Sequence, residues 1–330
     1  MKMKLYIEKQ LEQEYLDQLE PYYDIVCNEV DDLNALPTGD ALVTWLNGIH
    51  VAICGTARFN KQVVDNLTTL KYISSTSAGY DGFDVAHARA KGIRFSNNAW
   101  AKRDVCSEHA LALMLAVAKM IPARNTRAKT GQWQHGDGGR LGLDLLGKTL
   151  GIIGAGSIGQ DIARKAAGFQ MKVIYHNRKP NPAFEKECNA TYVDLETLLR
   201  TADFVTTNTP LTSETTGFMN AEKFKMMKPT AIYINISRGK VAVDQDLVTA
   251  LKEGWIWGAG IDVLEHELEV RATGGLDNPL MQELFSLENV VITPHAADMS
   301  IEGKRREIQE VVDNAVRFAK GEELLDEVLA

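Results

Sequence analysis

Residues 148–178 read KTLGIIGAGSIGQDIARKAAGFQMKVIYHNR. The apolar run Leu150–Ile153 predicts a buried strand, the segment from Ser157 to Ala167 a helix, and Lys172–Tyr175 the next strand. Between strand and helix stands Gly154-Ala155-Gly156-Ser157-Ile158-Gly159. Gly154 allows a tight turn, Gly156 lets backbone approach a pyrophosphate, and Gly159 lets the helix pack close to the strand. The first helical residues, Ser157 and Ile158, offer free N–H donors at the positive end of a helix dipole. A lone GxGxxG is weak in a chain of 26 glycines. Here the strand, the helix and the following strand all stand where a dinucleotide-binding unit needs them.

The end of the second strand bears on which dinucleotide is bound. An NAD site wants Asp or Glu about 20 residues past the glycines, to accept from the ribose 2′-hydroxyl. This chain has His176-Asn177-Arg178-Lys179-Pro180, and no acid until Glu185. Asn177, Arg178 and Lys179 suit a 2′-phosphate, which needs cations and neutral donors. The expectation is NADP(H) by preference, with NAD(H) possible; the bland alternative is a solvated basic turn.

Outward from this stretch, short apolar runs alternate with helical periodicity. Candidate strands before it are Lys4–Ile7, Asp24–Cys27, Ala41–Thr44, Val51–Cys54, Lys71–Ser74 and Ile93–Ser96. After Leu150–Ile153 and Lys172–Tyr175 come Phe204–Thr207, Ala231–Asn235, Gly258–Val263 and Val290–Thr293. Such alternation predicts an α/β protein with two doubly wound parallel sheets. A helix over Lys102–Met120, apolar nearly all round after His109, should be buried. A Gly-rich, turn-like stretch follows over 131–147. The closing stretch Ser300–Lys320 has helical spacing at Ile301, Ile308, Val311, Val312, Ala315 and Phe318, but periodicity does not say which sheet it covers.

With 330 residues, 45% hydrophobic and 24% charged, the chain can bury a sizeable core and fits one to three domains. Lys and Arg number 36 against 44 Asp and Glu, a net of −8 with no basic block, so nucleic acid and anionic membranes are poor partners. The longest apolar run, Ala110–Ala118, falls well short of the roughly 20 residues that span a bilayer. The start, MKMKLYIEKQ, turns polar after Ile7 and is not expected to act as a signal peptide. Cys27, Cys54, Cys106 and Cys188 are scattered, without metal-ligand spacing; reduced thiols in the cytoplasm and no metal site are expected.

Three segments in the second unit put polar residues at strand ends, where open α/β sheets bind ligands. They are Asn235-Ile236-Ser237-Arg238-Gly239, Gly258 through Glu267, and Thr293-Pro294-His295. Arg238 could clamp a carboxylate with its two-pronged donor and polarise an adjacent carbonyl. Singly, each has a bland explanation: a surface ion pair for Arg238, a turn residue for His295, a solvated acid for Glu267.

Taken together, the motifs are highly specific. Residues 77–84 (SAGYDGFD), Glu108-His109-Ala110-Leu111, Gly154–Gly159, Thr209-Pro210-Leu211-Thr212, Asn235–Val241, Gly258–Glu267 and Thr293-Pro294-His295 stand in one order along nearly the whole chain. The sequence thereby resembles the D-isomer-specific 2-hydroxyacid dehydrogenase family, most of all its glyoxylate/hydroxypyruvate reductase branch. The resemblance implies that Arg238 binds the substrate carboxylate and keto oxygen, and that His295 protonates the keto oxygen as hydride arrives from the nicotinamide. It implies that Glu267 hydrogen-bonds His295; a carboxylate partner favours the protonated imidazole. Asp262 would meet the nicotinamide end. Thr209, Pro210, Ile236, Ser237 and Arg238 would line the cofactor, and the backbone N–H groups of Ala78 and Gly79 would hold the substrate carboxylate.

The resemblance also implies a flavodoxin-like substrate domain, residues 1–100 with 298–330, and a Rossmann nucleotide-binding domain, 101–297. A homodimer joined through the second domain is implied, with Lys102–Met120 and the arm after it as candidates. The chain departs from the family pattern at Leu268, which stands in place of Pro, and in the long stretch Leu268–Pro279. It departs again at Ala296-Ala297-Asp298 and at Asn97-Asn98-Ala99-Trp100. The expected activity is reduction of small 2-keto acids, glyoxylate or hydroxypyruvate, to D-2-hydroxy acids. The alternatives are an NAD-dependent D-lactate-type dehydrogenase and a non-catalytic, dinucleotide-sensing corepressor-like protein. A phosphoglycerate dehydrogenase is disfavoured because no regulatory domain follows the closing helix.

Overall fold

The computed structural model describes residues 2–27, 38–55, 59–81, 83–133, 140–275 and 277–329. Gly82 of the 77–84 motif, and residues 134–139 of the Gly-rich stretch, lie outside them. The chain divides into two compact units, Met1–Lys102 with Ser300–Ala330, and Arg103–Met299.

In the first unit the elements run β1 (Met3–Ile7), α1 (Gln13–Leu19), β2 (Tyr23–Cys27), α2 (Gly39–Trp45), β3 (Val51–Cys54), α3 (Lys61–Asn66), β4 (Tyr72–Ser75), α4 (Val85–Ala90) and β5 (Arg94–Ser96). The strands form one parallel sheet in the order β2-β1-β3-β4-β5, the flavodoxin-like winding. Successive side chains leave a strand on opposite faces. Tyr6, Ala52, Ile73 and Phe95 therefore meet the side of α2, α3 and α4, while Leu5, Val51, Ile53 and Tyr72 meet the side of α1. The C-terminal helix, Ile301–Lys320, covers this second face: Val311, Val312 and Ala315 are buried in it, and Phe318 stacks on Tyr72 with ring centroids 4.8 Å apart.

One expected strand is a helix. Ala41–Thr44 lies inside α2, where Leu42 and Leu46 are buried four residues apart and Ala41, Thr44 and Trp45 are exposed. A four-residue apolar run does not separate the two periods; burial at i and i+4 does.

The second unit continues with α5 (Ala99–Ala118, which begins in the first unit), α6 (Ile121–Lys129), β6 (Thr149–Ile153), α7 (Ser157–Ala166), β7 (Lys172–His176) and α8 (Pro182–Cys188). Then follow β8 (Ala190–Tyr192), α9 (Leu195–Thr201), β9 (Phe204–Thr207), α10 (Ala221–Met226), β10 (Ile232–Asn235), α11 (Asp244–Lys252), β11 (Gly258–Ile261), α12 (Glu267–Thr273), α13 (Pro279–Ser286) and β12 (Val290–Ile292). The parallel order is β12-β11-β10-β9-β6-β7-β8, a Rossmann winding with one strand added beyond the sixth. Edge strand β8 was not among the expected strands, and β11 stops at Ile261 rather than Val263.

Ile152, Phe204, Ile232 and Ile234 face α5 and α7; Ile153, Val205, Tyr233 and Ile261 face α9, α10, α11 and α13. The apolar α5 buries Ala110, Leu113, Met114 and Val117 against the first of these faces. Among the described residues no single helix is long and apolar enough to cross a membrane, and all four cysteines are free thiols.

Glu310 of the C-terminal helix is 6% exposed, and its Oε1 has no hydrogen-bond partner among the described residues. Burial and the nearby Asp326 push its carboxyl up to about 7, against a hydrogen bond from the Ala101 backbone. A raised carboxyl pKa means that folding binds the proton. Its stabilisation is complete below the ordinary value of 4.5 and lost as pH rises through about 7. Glu310→Gln is therefore expected to stabilise the protein at pH 8 by about 1–2 kcal/mol and to change little at pH 4. Urea unfolding of both proteins at the two pH values checks this, and equal effects at both would contradict it.

Candidate active site

The second sheet's register sets His176, Ile153, Thr207, Asn235, Ile261 and Ile292 side by side across six strands. Each is the last residue of its strand, so the loops that follow leave from one edge. They begin at Asn177, Gly154, Asn208, Ile236, Asp262 and Thr293. From β6 the chain winds toward β7 and from its neighbour β9 toward β10, so the winding reverses between β6 and β9, beside the glycine loop.

At that point Gly154 has φ +90°, and a side chain there would meet the Asn208 carbonyl oxygen at 2.8 Å. A Cβ on Gly159 would lie 2.4 Å from the Gly154 oxygen, so helix α7 packs on its strand only with glycine there. Gly156 differs. Its backbone is ordinary (φ −78°, ψ −161°), and a Cβ would meet nothing within 4 Å. Nothing inside the chain demands glycine at this position; open space stands over it.

Helix α7 starts without a side-chain cap. Beside the loop, Asn208 Oδ1 and Thr209 Oγ1 are buried without a hydrogen-bond partner among the described residues. Buried polar atoms are nearly always paired, so uncapped N–H groups, orphaned oxygens and open space together fit a bound dinucleotide. Pro210, next along, is exposed.

Asn177 accepts the Ala155 N–H at 2.7 Å with its side-chain oxygen. The expected phosphate contact is thus narrowed: that oxygen braces the glycine loop, and only the amide nitrogen is left to a ligand. Arg178 and Lys179 are exposed. The first acid beyond them, Glu185, accepts the Tyr175 hydroxyl at 2.7 Å.

Two strands from β6, buried Asn235 shapes the turn that carries Arg238. Its Oδ1 accepts the Ser237 N–H at 3.1 Å and the Ser237 hydroxyl at 2.9 Å, and its amide donates to the Arg238 carbonyl at 3.1 Å. Ile236 is buried; Ser237 and Arg238 are half-buried. The Arg238 guanidinium donates to the Ser237 carbonyl at 2.7 Å. A Cβ on Gly239 would lie 1.8 Å from the Leu264 carbonyl oxygen, so this turn touches the loop after β11 backbone to backbone.

Asp262 opens that loop, and its carboxylate turns inward. It accepts the Thr293 hydroxyl at 2.6 Å, the Ala296 N–H at 2.7 Å and the Ala297 N–H at 3.0 Å, and its side chain has no exposed surface. The Asp262 carbonyl also accepts the His295 N–H at 2.8 Å. His295 sits at φ +53°, a left-handed conformation uncommon outside glycine, and the bonds from Asp262 hold the turn in it. His109 of α5 adds a further brace, with Nε2 2.9 Å from the Thr293 hydroxyl.

His295 Nδ1 lies 2.7 Å from Glu267 Oε1. Burial alone would raise the Glu267 carboxyl; the hydrogen bond and charge of His295, with Arg271, outweigh it and hold it below the usual carboxylate range. Arg271, one helical turn on in α12, donates to the same oxygen. It is absent from the expected site, although an acid and an arginine at i and i+4 on a helix are a readable pair.

Behind them Asp244, Glu265 and His266 come within metal-ligand spacing. They bond one another: the Asp244 N–H to Glu265 Oε2 at 3.2 Å, the Glu265 N–H to Asp244 Oδ2 at 3.0 Å, and His266 Nδ1 to Asp244 Oδ2 at 3.4 Å. Burial pushes Asp244 up to about 6. The cluster ties the start of α11 to the segment just before Glu267.

In the first unit, Ala78 and Gly79 follow β4. Asn97 donates to the Ala78 carbonyl at 2.7 Å.

The contrast among glycines is testable. Gly156→Ala is expected to fold with stability within about 1 kcal/mol of the parent while weakening dinucleotide binding by roughly tenfold or more. Gly159→Ala should lose stability outright. Calorimetric titration beside thermal unfolding separates the two, and unchanged binding by Gly156→Ala would contradict this account.

The family profile for the D-isomer specific 2-hydroxyacid dehydrogenase, NAD binding domain, matches residues 111–297. A glyoxylate reductase of Thermococcus litoralis is 38% identical over 98% of this chain and 95% of its own. One from Pyrococcus furiosus is 36% identical over 98% and 94%. Among solved structures, an NADPH-dependent glyoxylate/hydroxypyruvate reductase from Sinorhizobium meliloti, in complex with NADP and malonate, matches with a TM-score of 0.81 at 26% identity, over 99% of this chain and 97% of that one. On its motifs, its fold and these matches, the chain belongs to the D-isomer specific 2-hydroxyacid dehydrogenase family.

Proposed function

We propose that this protein reduces small 2-keto acids, glyoxylate and hydroxypyruvate first among them, to D-2-hydroxy acids, with NADPH as the preferred dinucleotide. The observation that carries the reading is the 2.7 Å pair of His295 and Glu267 on the strand-end row that also bears Arg238 and the glycine loop. The names of the relatives, glyoxylate reductases, support the substrate class.

A reduced nicotinamide dinucleotide, when bound, supplies a hydride to the carbonyl carbon. The chain's own residues do the rest. Arg238 binds the substrate carboxylate and polarises the keto oxygen. His295, with Nδ1 given to Glu267, has Nε2 left to donate a proton to that oxygen as it gains charge. Glu267 orients the ring and compensates the imidazolium. Asp262 keeps the turn that aims the ring. Ala78 and Gly79 have backbone N–H groups suited to a carboxylate, since neither donates to any described residue.

NADPH is favoured because Arg178 and Lys179 stand exposed at the end of β7 with no hydrogen-bond or ion-pair partner among the described residues, and no carboxylate there would repel a 2′-phosphate. A homodimer is supported by the apolar side chains of Trp133, Leu141 and Leu146, which are 85%, 85% and 65% exposed after α6.

His295→Ala is expected to lower kcat by roughly 100-fold or more while leaving the NADPH dissociation constant within about twofold; near-parental turnover would remove His295 from the proton-donor role. Arg178→Ala is expected to raise the KM for NADPH by about tenfold and leave that for NADH unchanged. Equal losses with both cofactors would contradict the phosphate assignment.

A further inference from the structure

Two basic side chains meet one carboxylate oxygen at the proposed proton donor. Glu267 Oε1 takes His295 Nδ1 at 2.7 Å and also the Arg271 guanidinium, whose Nη2 is 3.4 Å from His295 Nδ1. Arg271 lies in the long 268–279 stretch where the chain departs from the family pattern.

We propose that Arg271 is a positioning and tuning residue, which aims Glu267 at His295 and, by sharing the same carboxylate oxygen, keeps the imidazolium a stronger acid than the His295–Glu267 pair alone would make it. The inference rests on His295 being the proton donor.

The electrostatics have a definite sign. An arginine stays charged throughout the working range of pH. Protonating His295 therefore places a second cation beside the first, which disfavours the protonated ring. Arg271 also takes up part of the Glu267 charge that would otherwise serve His295 alone. The groups facing His295 from the surrounding elements do not reverse this balance. From α12 come Glu267 and Arg271. From the end of β11 comes Asp262, whose carboxylate is absorbed by Thr293, Ala296 and Ala297. From α5, His109 reaches Thr293 rather than the ring.

The Arg271 side chain is 61% exposed, so water screens it. The expected effect is moderate, about 0.5–1 pH unit, and shrinks in high salt. A stronger acid hands its proton more readily to the keto oxygen, at the cost of an alkaline limit set lower in pH. Removing Arg271 should extend reduction to higher pH and slow the proton transfer itself.

The test is an NMR titration of the whole enzyme bound to NADP⁺ with ¹³C-labelled histidine, the His295 signal being identified by its loss in His295→Gln. In Arg271→Gln the His295 midpoint should rise by about 0.5–1 unit, less at 1 M salt, and Arg271→Lys, which keeps the charge, should restore most of the parental value. An unmoved midpoint in Arg271→Gln overturns the inference and leaves the proposed function standing. An equal rise in the Lys and Gln variants assigns the effect to packing rather than charge and overturns it too. The alkaline limb of kcat/KM, measured on the same proteins, should follow the midpoint. A midpoint that moves without the limb overturns the proton-donor reading on which the inference rests.

Discussion

The hydrogen-bonded register that sets His176, Ile153, Thr207, Asn235, Ile261 and Ile292 abreast determines where every later side chain of the site can stand. Parallel strands with their crossovers on both faces all end at the same edge, and the residue after each strand is the first one free of the sheet. The glycine turn, the basic turn at Arg178, the Arg238 turn and the His295 turn are four separate stretches of sequence brought to one row. A slip of one residue in any strand would carry its turn about 3.3 Å along the edge and reverse its alternating burial. The apolar packing on both faces of the sheet therefore protects the chemistry as well as the fold.

Within that row, the turns are held by polar side chains bonded to nearby backbone and hydroxyl groups. Asn235 shapes the Arg238 turn. Asp262 closes over three donors and fixes His295 in a left-handed backbone conformation. The reciprocal bonds of Asp244 and Glu265 anchor the segment from which Glu267 emerges. Each of these acids and amides is costly to bury unless its partners are in place. The turns are consequently specified rather than merely allowed, and a side chain held this way loses little freedom when a ligand arrives.

Much of this was legible in the sequence because the informative residues are local. The glycine spacing, the apolar strand before it and the basic turn after the next strand declare a nucleotide fold within about 30 residues, and Arg238, Glu267 and His295 stand in ordered motifs. What stayed hidden depends on partners distant in sequence. That the Asp262 carboxylate is closed over by residues about thirty positions later is not written in the residues around it. That the Asn177 oxygen braces the Ala155 N–H, leaving its amide nitrogen to a phosphate, shows only in the structure. Ala41–Thr44 reads as a strand because four apolar-rich residues fit either period, and only the shared burial of Leu42 and Leu46 decides. The C-terminal helix could be placed on the first sheet only by the packing of Val311, Val312, Ala315 and Phe318. Arg271 is read in the sequence only as part of the long stretch Leu268–Pro279, and its bond to Glu267 picks it out.

The central claim is that this row of strand ends is a reductase site for a small 2-keto acid, with a cofactor pocket built for a 2′-phosphate. It is tested most directly by initial rates of glyoxylate reduction at matched, subsaturating NADPH and NADH. The account predicts turnover at ordinary enzyme rates with a strong preference for NADPH. A strong preference for NADH would contradict the cofactor pocket, and no turnover with either cofactor, for glyoxylate or any larger 2-keto acid, would contradict the reductase itself.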